Sequence, residues 1–192
     1  QHAYHHFTSF DHVRSLPVLL SQSGYRTARI GKYHVAPDPV YQFDTVLQGN
    51  DRNAVQMADN CRQFLAQPDS RPSFLYFCTS DPHRGGGKAT GMPRQPDRFG
   101  NREQGYPGVT EVRYDPQEVV VPDFLPDTPE CRAELAQYCQ AVSRIDQGIG
   151  RLVEHLKNAG RYDNTVLIYI SDNGIAFPGA KSEAFIQSGP VC

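Results

Sequence analysis

The chain has 192 residues, with 19 Lys and Arg against 21 Asp and Glu, for a formal net charge of −2. That length suits one domain with a real core, and the near balance of charge gives no basic field for nucleic acid. At 39% apolar and 21% charged residues the chain is not compositionally disordered, and its apolar runs stop at about five residues, too short to span a membrane.

The chain starts on Gln1 without a signal-peptide pattern and ends without a legible closing element, so it is expected to be a piece of a longer polypeptide. Residues 1–12 are rich in His and aromatic side chains and read as a lead-in loop; a metal reading of the histidines finds no later residue to complete it. Ser15, Pro17 and Gly24 mark the cap, first turn and end of a short helix. Residues 25–30 read as a strand that runs into Gly31-Lys32-Tyr33-His34. Pro37 and Pro39 keep the next stretch irregular. A second helix starts at Asn50 or Asp51, buries Val55, Ala58, Cys61, Phe64 and Leu65, and stops at Pro68, by its three-to-four spacing.

Residues 74–78, Phe-Leu-Tyr-Phe-Cys, form a continuous apolar run that ends in Asp81-Pro82-His83-Arg84. Such a run is the pattern of a strand buried on both faces of a parallel sheet. Residues 85–127 hold three consecutive glycines and six prolines and no helical period. A loop of that length in a compact domain tends to be functional, and Val119-Val120-Val121 is a candidate edge strand within it. Thr128-Pro129-Glu130 opens the longest helix, with Leu135, Cys139, Val142, Ile145, Ile149, Leu152, Val153 and Leu156 as its apolar positions and Gly160 as its end. Gly148 and Gly150 cost helix stability, which predicts close packing against a neighbour. Residues 166–170, Val-Leu-Ile-Tyr-Ile, read as a third buried strand, ending in Ser171-Asp172-Asn173-Gly174. Strands alternating with helices give an α/β fold with a mostly parallel sheet covered by helices. The five cysteines are irregularly spaced and contain no Cys-X-X-Cys. They give neither a disulfide framework nor a zinc site, and Cys61 and Cys78 read as buried free thiols.

Ligands of open α/β sheets bind beyond the carboxyl ends of the strands. The three predicted strands deliver Lys32 and His34, then Asp81, His83 and Arg84, then Asp172 and Asn173 to that edge. Lys32 and His34 suit an anionic group. Arg84 offers a forked donor to an oxyanion. Asp172 and Asn173 are hard oxygen ligands for calcium or magnesium, and Lys181 is a further cation in a Gly/Pro loop. Together they describe metal-assisted transfer of a phosphoryl or sulfuryl group. Taken singly, Asp-Asn-Gly is a common turn and Asp-Pro-His-Arg a turn with a surface ion pair; their joint placement carries the reading.

Leu16-Pro17, Gly24-Tyr25 and Gly31-Lys32-Tyr33-His34 resemble a segment of the type I sulfatases, with Tyr33 where Trp is common. Asp81-Pro82-His83-Arg84 is similar to the family's second histidine motif. Asp146, Gly148-X-Gly150, Asn164-Thr165 and Ser171-Asp172-Asn173-Gly174 are similar to its third block. Within the family, His5-His6-Phe7, Asp115-Pro116 and Ile175-X-Phe177-Pro178 look most like the sulfamidase branch, which acts on N-sulfated glucosamine.

The resemblance implies an alkaline-phosphatase-like sulfatase fold, helices on both sheet faces, one partial catalytic domain over residues 1–192, and a sheet incomplete at both ends. It implies a hydrolase of sulfate esters or N-sulfates on glycosaminoglycans. Calcium, in preference to magnesium, would be held by Asp172 and Asn173. Lys32 and Lys181 would bind sulfate, and Arg84 substrate. His34 would deprotonate the hydrated nucleophile, and His83 would be the general acid. The nucleophile, a formylglycine made from Cys or Ser in Cys/Ser-X-Pro-X-Arg by a formylglycine-generating enzyme, is not in this sequence, nor is the family's Asp-Asp pair. Both are expected upstream, so the chain alone is expected to be inactive. The stretch after Lys181 departs from the family pattern. The family also implies an extracytoplasmic home (lysosome, periplasm or outside) and no membrane span; a homodimer stays open. The alternatives are a phosphodiesterase or phosphonate hydrolase of the same superfamily, or a non-catalytic glycan- or calcium-binding relative.

Overall fold

A computed structural model describes residues 8–178. Helix α1 spans Leu16–Gln22 and β1 spans Arg26–Gly31. A 3-10 turn at Asp38–Tyr41 precedes β2, Thr45–Leu47. Then come α2 (Ala54–Ala66), β3 (Ser73–Cys78), the long loop, α3 (Pro129–Asn158) and a 3-10 turn at Tyr162–Asn164. Among the described residues the sheet has three strands in the order β2-β1-β3, and both pairings are parallel. The architecture is α/β, as the alternation of patterns requires.

β1 is central and largely buried, with Ala28, Thr27 and Ile30 at 0% exposure. β2 went unseen in the sequence because three residues carry too little pattern. What places it is a contact across 17 residues: the Thr27 amide donates to Asp44 Oδ2 at 2.9 Å, and the Asp44 amide donates to Thr27 Oγ1 at 2.9 Å. That exchange brings the chain alongside β1 just before β2 begins.

Helix α2 starts three to four residues later than expected, with Asn53 as its cap; Asn53 Oδ1 accepts the Gln56 amide at 3.1 Å. Its predicted apolar face is buried as read, at Val55, Ala58, Cys61, Phe64 and Leu65. Ser15 does not cap α1 through its side chain; its hydroxyl donates instead to the Val40 carbonyl. Thr128 does cap α3, accepting the Cys131 amide at 3.2 Å.

Two clusters make the core. One packs β1 with α2 and the C-terminal half of α3, around Ile30, Met57, Cys61, Phe64 and Leu152. The other gathers the long loop and the N-terminal half of α3, around Phe99, Val119, Leu125, Leu135 and Phe177. Gly148 is the contact point of the two helices, because a Cβ there would run into Ala54. Gly150 has nothing within 4 Å of such a Cβ, so only one of the two glycines answers to packing.

Four further expectations change. Residues 166–170 pair with no strand among the described residues, and their exposures run from 48% to 85%. An apolar β-branched run can be a strand only where an edge accepts its backbone, and no described edge does. β3 is half-buried rather than covered on both faces, since among the described residues it is an edge of the sheet. Val119-Val120-Val121 is no strand: Val119 is buried among the loop side chains and Val120 is 87% exposed. On α3, Cys139, Val142, Ile149 and Val153 are half-buried, while Gln137, Gln140 and Arg144 are buried.

Candidate functional site

Strands β1 and β3 run side by side in register, with Gly31 opposite Cys78. Gly31 has φ +86°, and a Cβ on it would meet the Cys78 carbonyl and the Met57 side chain. Only glycine fits both the conformation and the space. The turn it allows lets the Lys32 amide donate to Cys78 O at 2.8 Å, which sets Lys32 at the carboxyl end of the sheet beside β3. His34 follows two residues later and is exposed. Tyr33 donates its hydroxyl to Tyr41 O at 2.9 Å, and the Arg29 guanidinium lies 3.9 Å from its ring centroid.

After β3 the chain turns sharply. The Ser80 amide donates to Asp51 O at 2.8 Å and its hydroxyl bonds Asp51 Oδ2 at 2.5 Å. The His83 amide donates to Ser80 O at 2.9 Å. This leaves His83 exposed, with Nδ1 2.8 Å from Arg84 O.

Asp81 anchors that turn. Its carboxylate takes Arg52 Nη1 on Oδ1 at 2.8 Å, and Arg144 Nη2 at 2.8 Å and Nε at 2.9 Å on Oδ2. The Asp81 and Arg144 side chains are 2% and 1% exposed. Arg144 also donates to Asn101 Oδ1 and, at 3.2 Å, to Phe99 O. Arg52 reaches His83 O at 3.1 Å and Arg84 O at 3.3 Å. Burial pushes the Asp81 carboxyl up to about 6, against the pull of Arg144 and Arg52. Arg52 and Arg144 escaped the sequence reading. The available signal was a charged residue at 144 inside the apolar stripe of α3, between Ala141, Ile145 and Gly148, where an unpaired charge would be costly.

Arg84 is engaged within the protein. Its Nε donates to Ala176 O at 2.6 Å, and Nη2 pairs with Glu134 Oε2. Its Cζ lies 4.9 Å from the Phe99 centroid and 5.0 Å from that of Phe177. Burial raises the Glu134 carboxyl, but Arg84, the Asp97 amide and Lys88 outweigh it and hold it below the usual range. Arg84, expected from the sequence to contact substrate, thus joins two segments of the chain through Ala176 and Glu134.

Asp172 is exposed and Asn173 half-buried, in a short turn where Ser171 Oγ donates to Asn173 O at 2.5 Å. Burial, then Cys78, then the charge of Asp172 raise the Tyr76 phenol on β3. A carboxylate and an amide oxygen fit a hard divalent cation, and they would supply two of its six to eight oxygens. Among the described residues no group of three His, Cys, Asp or Glu side chains converges on one point. Lys181 lies outside the described residues, as do His2, His5 and His6.

The structure thus brings the first two segments together through adjacent strands, and the second and third through Arg84 and Ala176. Two surface clefts, of about 240 and 400 Å³, are lined by α2, α3 and nearby loop residues and by none of the predicted site residues. Among the described residues no helix is long and apolar enough to cross a membrane.

The sulfatase family model matches residues 1–188. The chain belongs to the sulfatase family. It is 44% identical over 191 residues to human N-sulphoglucosamine sulphohydrolase, covering 94% of this chain and 38% of that protein. It is 29% identical over 197 residues to the uncharacterized sulfatase YdeN of Escherichia coli K12, covering 85% of this chain and 33% of that one. A 48-residue stretch is 38% identical to the multifunctional alkaline phosphatase superfamily protein PehA of Trinickia caryophylli, covering 25% of this chain and 9% of that one. The chain therefore spans 33–38% of the length of these two sulfatases. Among solved structures, Ps i-CgsB in complex with k-i-k-neocarrahexaose aligns at 18% identity and a TM-score of 0.42, over 81% of this chain and 39% of that one.

Proposed function

We propose that this chain is part of the catalytic domain of a sulfatase that hydrolyses N-sulfate on glucosamine units of glycosaminoglycans. The observation that carries the reading is the 44% identity to a human sulphohydrolase of N-sulphoglucosamine over 94% of the chain, joined to the convergence of two cation- and histidine-bearing strand ends at one sheet edge.

In this reading Asp172 and Asn173 hold calcium in preference to magnesium. Bound there, calcium would supply charge to offset that on the sulfate oxygens, and the attacking oxygen would come from a formylglycine hydrate outside this chain. Lys32 binds a sulfate oxygen and favours the charge that builds there. His34 takes the proton of the nucleophile. His83, exposed at the end of its turn, donates a proton to the leaving amine; the Asp81–Arg144–Arg52 network holds the backbone on which it sits. Lys181 adds a second cation to the sulfate. A formylglycine-generating enzyme is the implied maturation partner. An extracytoplasmic compartment follows from the family reading, as does inactivity of the 192-residue chain by itself.

The test is turnover by the full-length protein that contains this chain, comparing N-sulfoglucosamine, an aryl sulfate and an aryl phosphate diester. Preference for the N-sulfate is expected. Preference for the diester would move the assignment to the phosphoester branch of the superfamily, and no turnover with intact glycan binding would make it a binding relative. In the same protein Asp172→Ala should lower kcat by at least about a hundredfold, with excess calcium restoring little. Near-wild-type turnover with unchanged calcium dependence would remove Asp172 from the metal site.

A further inference from the structure

We propose that Arg84 is a positioning residue that clamps the Asp172–Asn173 segment to the end of β3 and to α3. The clamp itself stands on contacts within the chain; only its consequence for metal binding rests on the calcium reading above.

Residues 166–170 are exposed and unpaired, so the segment that carries Asp172 and Asn173 has no sheet to hold it among the described residues. Local bonds do not fix it either: Ser171 to Asn173 and the Phe177 amide to Ile175 O at 2.8 Å stay inside the segment. What reaches it from afar is Arg84, 92 residues away, through the 2.6 Å bond to Ala176 O. Phe177, 3% exposed, stacks on Phe99 at 5.6 Å, and Tyr138 meets both rings edge-on. The guanidinium lies against the same two rings.

The far side of the clamp is equally built. Glu134 takes Arg84 on Oε2 and, on Oε1, the Asp97 amide at 3.2 Å with Lys88 Nζ at 4.0 Å. Asp97 Oδ1 in turn accepts the Gly85 and Phe99 amides at 2.9 and 2.8 Å. One side chain thus ties three places: the turn that bears His83, the first turns of α3, and the segment that bears Asp172 and Asn173. Arginine suits this and lysine does not. The task needs two donors at a fixed angle, to a carbonyl and a carboxylate, plus a flat face for two rings.

The experiment is hydrogen–deuterium exchange on the full-length protein that contains this chain, in wild type, Arg84→Lys and Glu134→Gln. A clamp predicts exchange over residues 172–178 at least about tenfold faster in both variants, as expected for losing a charge-assisted bond that limits local opening. Exchange over α2, the internal reference, should not change. A substrate-facing Arg84 predicts no change in either variant, and that result overturns the proposal. Equal acceleration over α2 also overturns it, since Arg84 would then hold the whole fold and not the segment. Calcium chloride alone separates the two claims. Added protection at residues 172–174 in wild type, with half-saturation shifted upward about ten- to a hundredfold in Arg84→Lys, supports positioning of a metal site. Absence of that protection in wild type counts against the calcium reading of Asp172 and Asn173, while the calcium-free exchange of the variants still decides the clamp.

Discussion

Asp81 occupies a position where two opposed forces nearly balance. Its side chain is 2% exposed, so ionising it is costly, yet Arg144 and Arg52 both lie 2.8 Å away. Burial is the larger effect and lifts the carboxyl to about 6 from its ordinary 3.8. The folded state therefore holds this proton more tightly than the unfolded chain does. Its contribution to stability is complete below about pH 4 and is lost as pH rises through about 6. Asp81→Asn mimics the protonated form, so it should flatten the fall in unfolding free energy between pH 4 and 6, measured by urea titration at each pH. An unchanged slope would mean that the carboxylate is ionised throughout and that the two guanidiniums govern it. Cys61 makes the simpler case: with burial alone acting, its thiol is pushed up to about 12, as fits a core residue without chemistry.

At the scale of the element, α3 is where pattern and packing part company. Its apolar spacing marks a helix, and the helix is there, yet its buried positions include Gln137, Gln140 and Arg144. These polar groups face the loop that carries Asn101 and Glu111, to which they hydrogen-bond. A helix reading assumes that one face meets apolar neighbours, and a loop with its own carbonyls and amides overturns that assumption. The two glycines sharpen the point. A Cβ at Gly148 would run into Ala54, whereas one at Gly150 would point into open space. Gly148→Ala should therefore destabilise by about 1–3 kcal/mol through overpacking. Gly150→Ala, exposed and helical, should stabilise by about 1 kcal/mol. Denaturant unfolding of the two variants checks both signs, and the same sign for both would refute the packing difference.

At the scale of the molecule, among the described residues the sheet ends at β3 and the apolar residues 166–170 lie open to solvent. An exposed apolar run of β formers beside an unpaired sheet edge promotes association between chains. The 192-residue chain should sediment above its monomer mass, and Ile168→Lys should shift it toward monomer. A monomeric wild type would show that this surface is covered in solution.

The sequence determined the local and the periodic. Gly24, Pro68 and Thr128 set element ends, the spacing of Val55 to Leu65 set a buried helix face, and Gly31-Lys32, Asp81-Pro82-His83 and Asp172-Asn173 marked the candidate site. These rest on short-range sterics and residue chemistry, which a chain carries wherever it is placed. Tertiary structure alone decided the rest. β2 exists because Asp44 and Thr27 meet, residues 166–170 stay out of the sheet because no described edge accepts them, and Arg144 is buried because Asp81 awaits it. It also brought Arg84 to Glu134 and Ala176, contacts that the sequence did not announce. In each case the deciding group lies far away in sequence, and only folding brings an acceptor, an edge or a counter-charge within bonding distance.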